Sequence, residues 1–184
     1  MADSDIKVRV AAAADKSQIE SLVQRSALQL YSKIGSAEQC EAWASDAADD
    51  YMQRLSDPES QVLVADCPYG IVGTVYVSPE SSRPHGCDRE LGGLYTALRG
   101  AGIGHLLNQQ ALLAAAAGGA SSVYTAVSEA NKPARRALED MGFHRSGVFS
   151  QPFFPNHQWI EMEMHLLPGA FSPDSQGRIQ RHRA

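Results

Sequence analysis

The chain has 184 residues, 43% hydrophobic and 20% charged, the balance of one globular domain with room for a sizeable core. With 16 basic against 21 acidic side chains the net charge is −5, and no basic surface shows outside the last few residues. That argues against a nucleic-acid partner and leaves a cationic small molecule or a peptide amine open.

Cys40, Cys67 and Cys87 have neither paired metal spacing nor an even disulfide set. Met1 to Asp5 is polar, and no apolar run reaches membrane-spanning length. The expectation is a cytoplasmic protein with reduced thiols, no metal and no membrane contact.

Taken in order, Ile6, Val8 and Val10 alternate with Lys7 and Arg9, the period of a half-buried strand. Asp15 is placed to cap a helix with Ile19, Leu22 and Val23 on its apolar stripe. Trp43, Ala47, Tyr51 and Leu55, four apart, predict a second helix, with Asp46, Asp49 and Asp50 beside the stripe. Two readings stand for those acids: a solvated helix face, or a collar that attracts a cationic amine. Tyr31 and Trp43 read as core or rim rather than as substrate platforms.

Asp57 to Ser60 is a turn, Gln61 to Ala65 a strand, Cys67-Pro68-Tyr69-Gly70 a hairpin connection and Ile71 to Val77 its partner. Pro79 to Asp88 is a polar loop leading to the apolar run Leu91 to Leu98, a buried strand that completes an antiparallel meander.

Next comes Arg99-Gly100-Ala101-Gly102-Ile103-Gly104, after which Ile103, Leu106, Leu107, Ala111 and Ala114 form a helical face that Gly118-Gly119 stops. Glycines at the turn let backbone N–H groups at the helix start approach a ligand, and Arg99 adds a fixed positive charge. A pyrophosphate suits this site, against the alternative of a tight turn that binds nothing. A P-loop would need Gly-Lys-Ser/Thr where Gly104 is followed by His105 and Leu106, and a dinucleotide fingerprint would need glycine where His105 or Leu107 stands.

Val123 to Val127 reads as a strand parallel to 91–98, joined to it by a helical crossover. Asn131 caps a helix from Lys132-Pro133 whose core face is Ala134, Ala137, Leu138 and Met141, closing at Gly142-Phe143. Val148-Phe149 and Trp159 to Leu166 are the last strands, joined by an irregular loop, Pro152 to His157, placed to close over a substrate. From Pro168 the composition is that of a disordered basic tail.

Arg99-x-x-Gly102-x-Gly104 between strand and helix, and the Asn131 helix ending in Gly142-Phe143, together resemble the two signatures of the GCN5-related N-acetyltransferase (GNAT) superfamily. The resemblance covers about residues 6–166. It implies an α/β (α+β) single domain: a mixed, mostly antiparallel sheet of about six to seven strands with a parallel, splayed central pair, flanked by about four helices. The expected division is an acetyltransferase domain at 1–167 and a polar, basic tail at 168–184.

The function implied is acetyl-CoA-dependent N-acetylation of a primary amine of a small molecule or protein, by direct attack on the thioester, in a monomer or homodimer. By the same resemblance, the loop from Arg99 through Gly100, Ala101, Gly102, Ile103, Gly104 and His105 holds the pyrophosphate of acetyl-CoA. Backbone groups of Leu94, Tyr95 and Thr96 pair with the pantetheine arm, and Asn131 reaches it from the other side. His105 touches phosphate or merely starts the helix.

The sequence departs from the family in two places. The tyrosine that many members use to protonate the sulfur is Leu138 here, and the glutamate that some use as base is Ala126. Glu90 stands where several members keep a base acting through water, its alternative being a sheet-end carboxylate. Tyr95 and Tyr124 present hydroxyls near the splay or are buried packing. These departures keep a second function open, a coenzyme A-binding domain without catalysis that serves as a sensor or partner module. A third, acylation of an aminoacyl-tRNA, is disfavoured by the acidic charge.

Overall fold

The computed structural model describes residues 6–79, 86–98 and 100–166, and the backbone of 171–173 and 179–181. Its sheet is built from β1 (Lys7–Val10), β2 (Gln61–Cys67), β3 (Gly70–Ser78), β4 (Arg89–Thr96), β5 (Ser122–Ser128), β6 (His144–Gln151) and β7 (Phe154–His165), in the order β1-β2-β3-β4-β5-β7-β6. The helices are α1 (Lys16–Tyr31), α2 (Ala37–Ser56), α3 (Ile103–Ala117) and α4 (Lys132–Met141). Every neighbouring pair in the sheet is antiparallel except β4 with β5.

The sheet is covered on both faces, so its strands carry two apolar stripes. Val75, Val77, Leu91, Val123 and Met162 pack under α3 and α4, where Leu107, Leu112, Leu138 and Met141 are buried. On the opposite face Val62, Val64, Tyr76 and Tyr95 pack under α1 and α2, against Ile19, Val23 and Tyr51. An aromatic satellite of Phe154 and Trp159, with Tyr31 and Trp43 packed on it, closes the second core at the β6–β7 end.

The expected stripes of α1 and α2 and the four-stranded run β1 to β4 are as the hydrophobic periods require. Three expectations need correction. Asp15 does not cap α1 with its side chain: it ends a 3-10 turn at Ala13–Asp15, and its carboxylate accepts from Arg9 at 2.6 and 2.9 Å and from the Ala12 amide at 2.7 Å. The guanidinium, a charged partner with fork geometry, outcompetes the helix amides for those oxygens.

Pro152 to His157 is not an irregular loop. The chain turns at 152–153 and β7 starts at Phe154, opposite Gln151. Phe154 is 2% exposed between Tyr31 and Trp159, and that burial pulls the segment into the sheet. Within the expected disordered tail, Phe171–Pro173 (β8) and Ile179–Arg181 (β9) pair antiparallel.

Candidate active site

The parallel pair β4–β5 has only two rungs, Arg89↔Val123 and Glu90↔Tyr124, although β4 runs on to Thr96 and β5 to Ser128. Beyond Glu90 the strands diverge and leave a gap. Its closed end is fixed by Asp88, whose Oδ2 accepts from the Ser121 amide at 2.6 Å, the Ser121 hydroxyl at 2.7 Å and the Ser122 amide at 3.1 Å. Those hydrogen bonds, the Ser121 hydroxyl first, hold the Asp88 carboxyl below its usual range.

Local sequence causes the divergence. Between Gly92, opposite Tyr76, and Tyr95, opposite Thr74, β4 carries one residue more than β3, a bulge at Gly93-Leu94. Gly93 has φ +61°, and a Cβ there would lie 2.6 Å from the Tyr51 ring. The buried Tyr51 hydroxyl donates to the Gly93 carbonyl and ties α2 to the bulge. Burial first of all pushes that hydroxyl's pKa well up, so it stays a donor.

The gap opens into a cavity of about 860 Å³ that spans both sides of the splay. One end is the start of α3, where Gly100, Gly102, Ile103, Gly104 and His105 form the wall. Gly102 is the N-cap with φ +74° and offers no side-chain cap, and the first helical bond runs from the Leu106 amide to the Gly102 carbonyl at 3.0 Å. The amides of Ile103, Gly104 and His105 therefore have no partner within the helix. Among the described residues a Cβ on Gly100 or Gly102 would meet nothing within 4 Å, so the glycine turn is open at both positions. An anion fits there on grounds of charge, geometry and room.

The other end is acidic and aromatic. Asp46, Asp49 and Asp50 of α2 line it with Glu90 of β4. Burial, then Asp50 and Asp49, raise the Asp46 pKa. Arg54 spans this edge, 3.2 Å from Asp50 and 3.9 Å from Glu90, with its guanidinium 5.0 Å from the centre of the Tyr76 ring. Tyr31 and Trp43 belong both to the aromatic core and to the cavity wall, and burial pushes the Tyr31 hydroxyl up to about 12.

The residues singled out from the sequence are distributed as follows. Leu94, Tyr95, Thr96 and Asn131 line the cavity together with the helix start and Glu90. Asn131 caps α4, its Oδ1 accepting from the Ala134 amide at 3.3 Å. His105 sits in the first turn of α3, its Nε2 2.8 Å from Gln109 Nε2. Tyr95 is 7% exposed and burial raises its pKa well above normal. Tyr124, beside Glu90 at the closed end, is buried and is not among the described residues that line the cavity. Ala101 is exposed and is not among the described residues that line the cavity, and Arg99 lies outside the described residues.

Leu138 and Ala126, where the family's tyrosine and glutamate would stand, also face the cavity. Asn108 and Ser128, buried polar residues of the wall, were not singled out. Ser128 follows Tyr124 and Ala126 on one face of β5, a period-two signal that could have found it.

Comparison with known proteins agrees with this geometry. The model of the acetyltransferase (GNAT) family matches residues 24–143, about two thirds of the chain. No curated protein matches significantly. Among solved structures, the PaiA N-acetyltransferase from Thermoplasma acidophilum in complex with coenzyme A superposes with a TM-score of 0.71 at 17% identity, over 88% of this chain and 99% of that one. A GCN5-related N-acetyltransferase from Rhodopseudomonas palustris gives 0.70 at 22%, over 90% and 99%. One from Kribbella flavida gives 0.67 at 22%, over 90% and 100%. At these identities the structures share the fold, and the family match places the chain: it belongs to the acetyltransferase (GNAT) family.

Proposed function

We propose that the chain is an acetyl-CoA-dependent N-acetyltransferase whose acceptor is a primary amine of a small molecule or protein. The observation that carries the reading is the gap between β4 and β5, which runs from the first-turn amides of α3, without partners inside the helix, to the acidic end of the cavity. Acetyl-CoA supplies the acyl group already activated as a thioester.

The chain's own residues supply the rest. The amides of Ile103, Gly104 and His105 hold the pyrophosphate, and Arg99 of the same loop adds charge. Leu94 and Thr96 offer backbone groups to the pantetheine arm from one wall, and Asn131 from the other. The bulge takes Gly93-Leu94 out of the regular ladder just before Tyr95 pairs with Thr74, and a backbone amide near Leu94 or Tyr95 serves as the donor for the oxyanion that develops on the acetyl carbonyl. Glu90 takes the proton from the amine through water, and Asp46, Asp49 and Asp50 draw a cationic acceptor to that end.

The test is calorimetric titration with acetyl-CoA, coenzyme A and ATP, followed by a panel of amines read by thiol release. Micromolar binding that needs both pantetheine and pyrophosphate, with turnover of an amine, is expected. Leu138 at the tyrosine position favours the second reading, a coenzyme A-binding module without catalysis. Binding without turnover of any amine would select it, and no binding would remove both.

A further inference from the structure

The acetyl-transfer chemistry above leaves one hydrogen-bonded pair without a task. Ser128 Oγ lies 2.8 Å from His157 Nε2. Ser128 is 5% exposed and lines the cavity at the end of β5. His157 stands behind it on β7, half-buried, its ring edge-on to Trp159 with centroids 4.9 Å apart. With the hydrogen on Nε2, His157 donates to the serine oxygen, and the hydroxyl hydrogen is left to turn toward a second acceptor in the cavity.

Register says where that acceptor would be. Counting on from Glu90↔Tyr124 puts Ser128 at the level of Leu94 along the diverging strands, and Ser128, Leu94 and Tyr95 all line the same cavity. Ser128 also shares a face of β5 with Tyr124, Glu90's neighbour. The hydroxyl thus belongs to the same cavity as the backbone assigned to the acetyl carbonyl and to the same face of the sheet as the base.

We propose that Ser128, held by His157, gives its proton to the departing thiol sulfur. This rests on the acetyl-transfer reading above. The amine nitrogen forms the C–N bond with the acetyl carbon, and the C–S bond breaks with its electron pair going to sulfur. The serine proton moves to sulfur, the Nε2 proton moves to Ser128 Oγ, and Nδ1 takes one proton from solvent. The amine's surplus proton leaves to solvent through Glu90, so protons taken up and released are equal. Ser128 is the catalytic residue of this step and His157 the residue that positions and reprotonates it. The pair fills the role left open where Leu138 offers no hydroxyl.

The experiment needs no acceptor. Free coenzyme A and desulfo-coenzyme A are titrated into the full chain, and ionisation of the bound thiol is followed by thiolate absorbance as pH rises. A hydroxyl donating to sulfur favours the thiolate, so the bound thiol is expected to ionise at lower pH than the free one. Ser128→Ala and His157→Ala should lose that shift, Ser128→Thr should keep it, and desulfo-coenzyme A should bind all four proteins equally. As a separate readout, with acetyl-CoA and an amine accepted in the panel above, Ser128→Ala should lower thiol release by about 100-fold with KM unchanged. Equal thiol ionisation in the wild type and Ser128→Ala would overturn the proton donor while leaving the cofactor site intact. Failure of both coenzymes to bind would overturn the acetyl-transfer reading and this proposal with it.

Discussion

Tyr51→Phe tests whether the bulge in β4 is held from α2. Tyr51 is 1% exposed, its ring packs edge-on against Tyr76 at 5.4 Å, and its hydroxyl donates to the Gly93 carbonyl at the point where β4 leaves the ladder. Phenylalanine keeps the ring and its packing and deletes only the donor. A carbonyl left without its partner in a half-buried strand costs about 1–2 kcal/mol. For a chain of this size that lowers Tm by about 2–8 °C. Urea denaturation should show a lower midpoint at unchanged slope, because the surface exposed on unfolding is the same. The bulge also carries the Leu94 backbone that faces the gap, so acetyl-CoA affinity should fall by up to about tenfold, the equivalent of one lost hydrogen bond. A variant with wild-type midpoint and wild-type affinity would refute the idea that this contact holds the bulge.

Gly102→Val places a β-branched residue at φ +74° above the open amides of α3; acetyl-CoA affinity should drop at least about 100-fold while circular dichroism stays native, and unchanged affinity would remove the loop from the site. Glu90→Gln deletes the proposed base, so the rate should fall about 100-fold at low pH and recover as the amine deprotonates by itself; a parallel pH–rate profile would exclude Glu90. Asp15→Asn removes the anion held by Arg9 and should cost about 1–2 kcal/mol at neutral pH, allowing for the solvent screening of Arg9. Because the Asp15 carboxyl is held below its usual range, chiefly by the Arg9 hydrogen bonds, its stabilisation is present above the ordinary carboxylate range and is lost as pH falls through the lowered value. The gap between variant and wild type in urea titrations should therefore close in acid, and a constant gap would contradict the pairing.

What the sequence revealed was what depends on local period and on local chemistry. The stripe of α1, the alternation at the end of β7 and the glycine turn before α3 are set by neighbours a few residues apart. Asp15 was misread because its helix-capping position is visible locally, whereas Arg9 reaches its oxygens only once β1 has been placed. The turn at 152–153 was misread for a similar reason: Pro152 and Pro155 suggest a loop, but Phe154 is drawn into the sheet by Tyr31, 123 residues earlier in the chain. Gly92-Gly93 was visible, yet the bulge exists because the Tyr76 and Tyr51 rings occupy the room that side chains there would need. The Ser128–His157 pair was hidden by its separation of 29 residues.

The two rungs between β4 and β5 also act as a pivot. On one side lie β1 to β4, on the other β5, β7 and β6, and among the described residues the strand pairing that joins the halves is Arg89↔Val123 and Glu90↔Tyr124, beside the Asp88 clasp. From Glu90 to Thr96 is about 20 Å of strand at ~3.3 Å per residue. Leverage of that length turns a rotation of about 3° at the clasp into roughly 1 Å of jaw opening. The molecule is thus a pair of tongs, with helices as handles on both faces. A few degrees of closing would narrow the gap between β4 and β5 along its length, and the Asp88 carboxylate stands at the pivot of that motion.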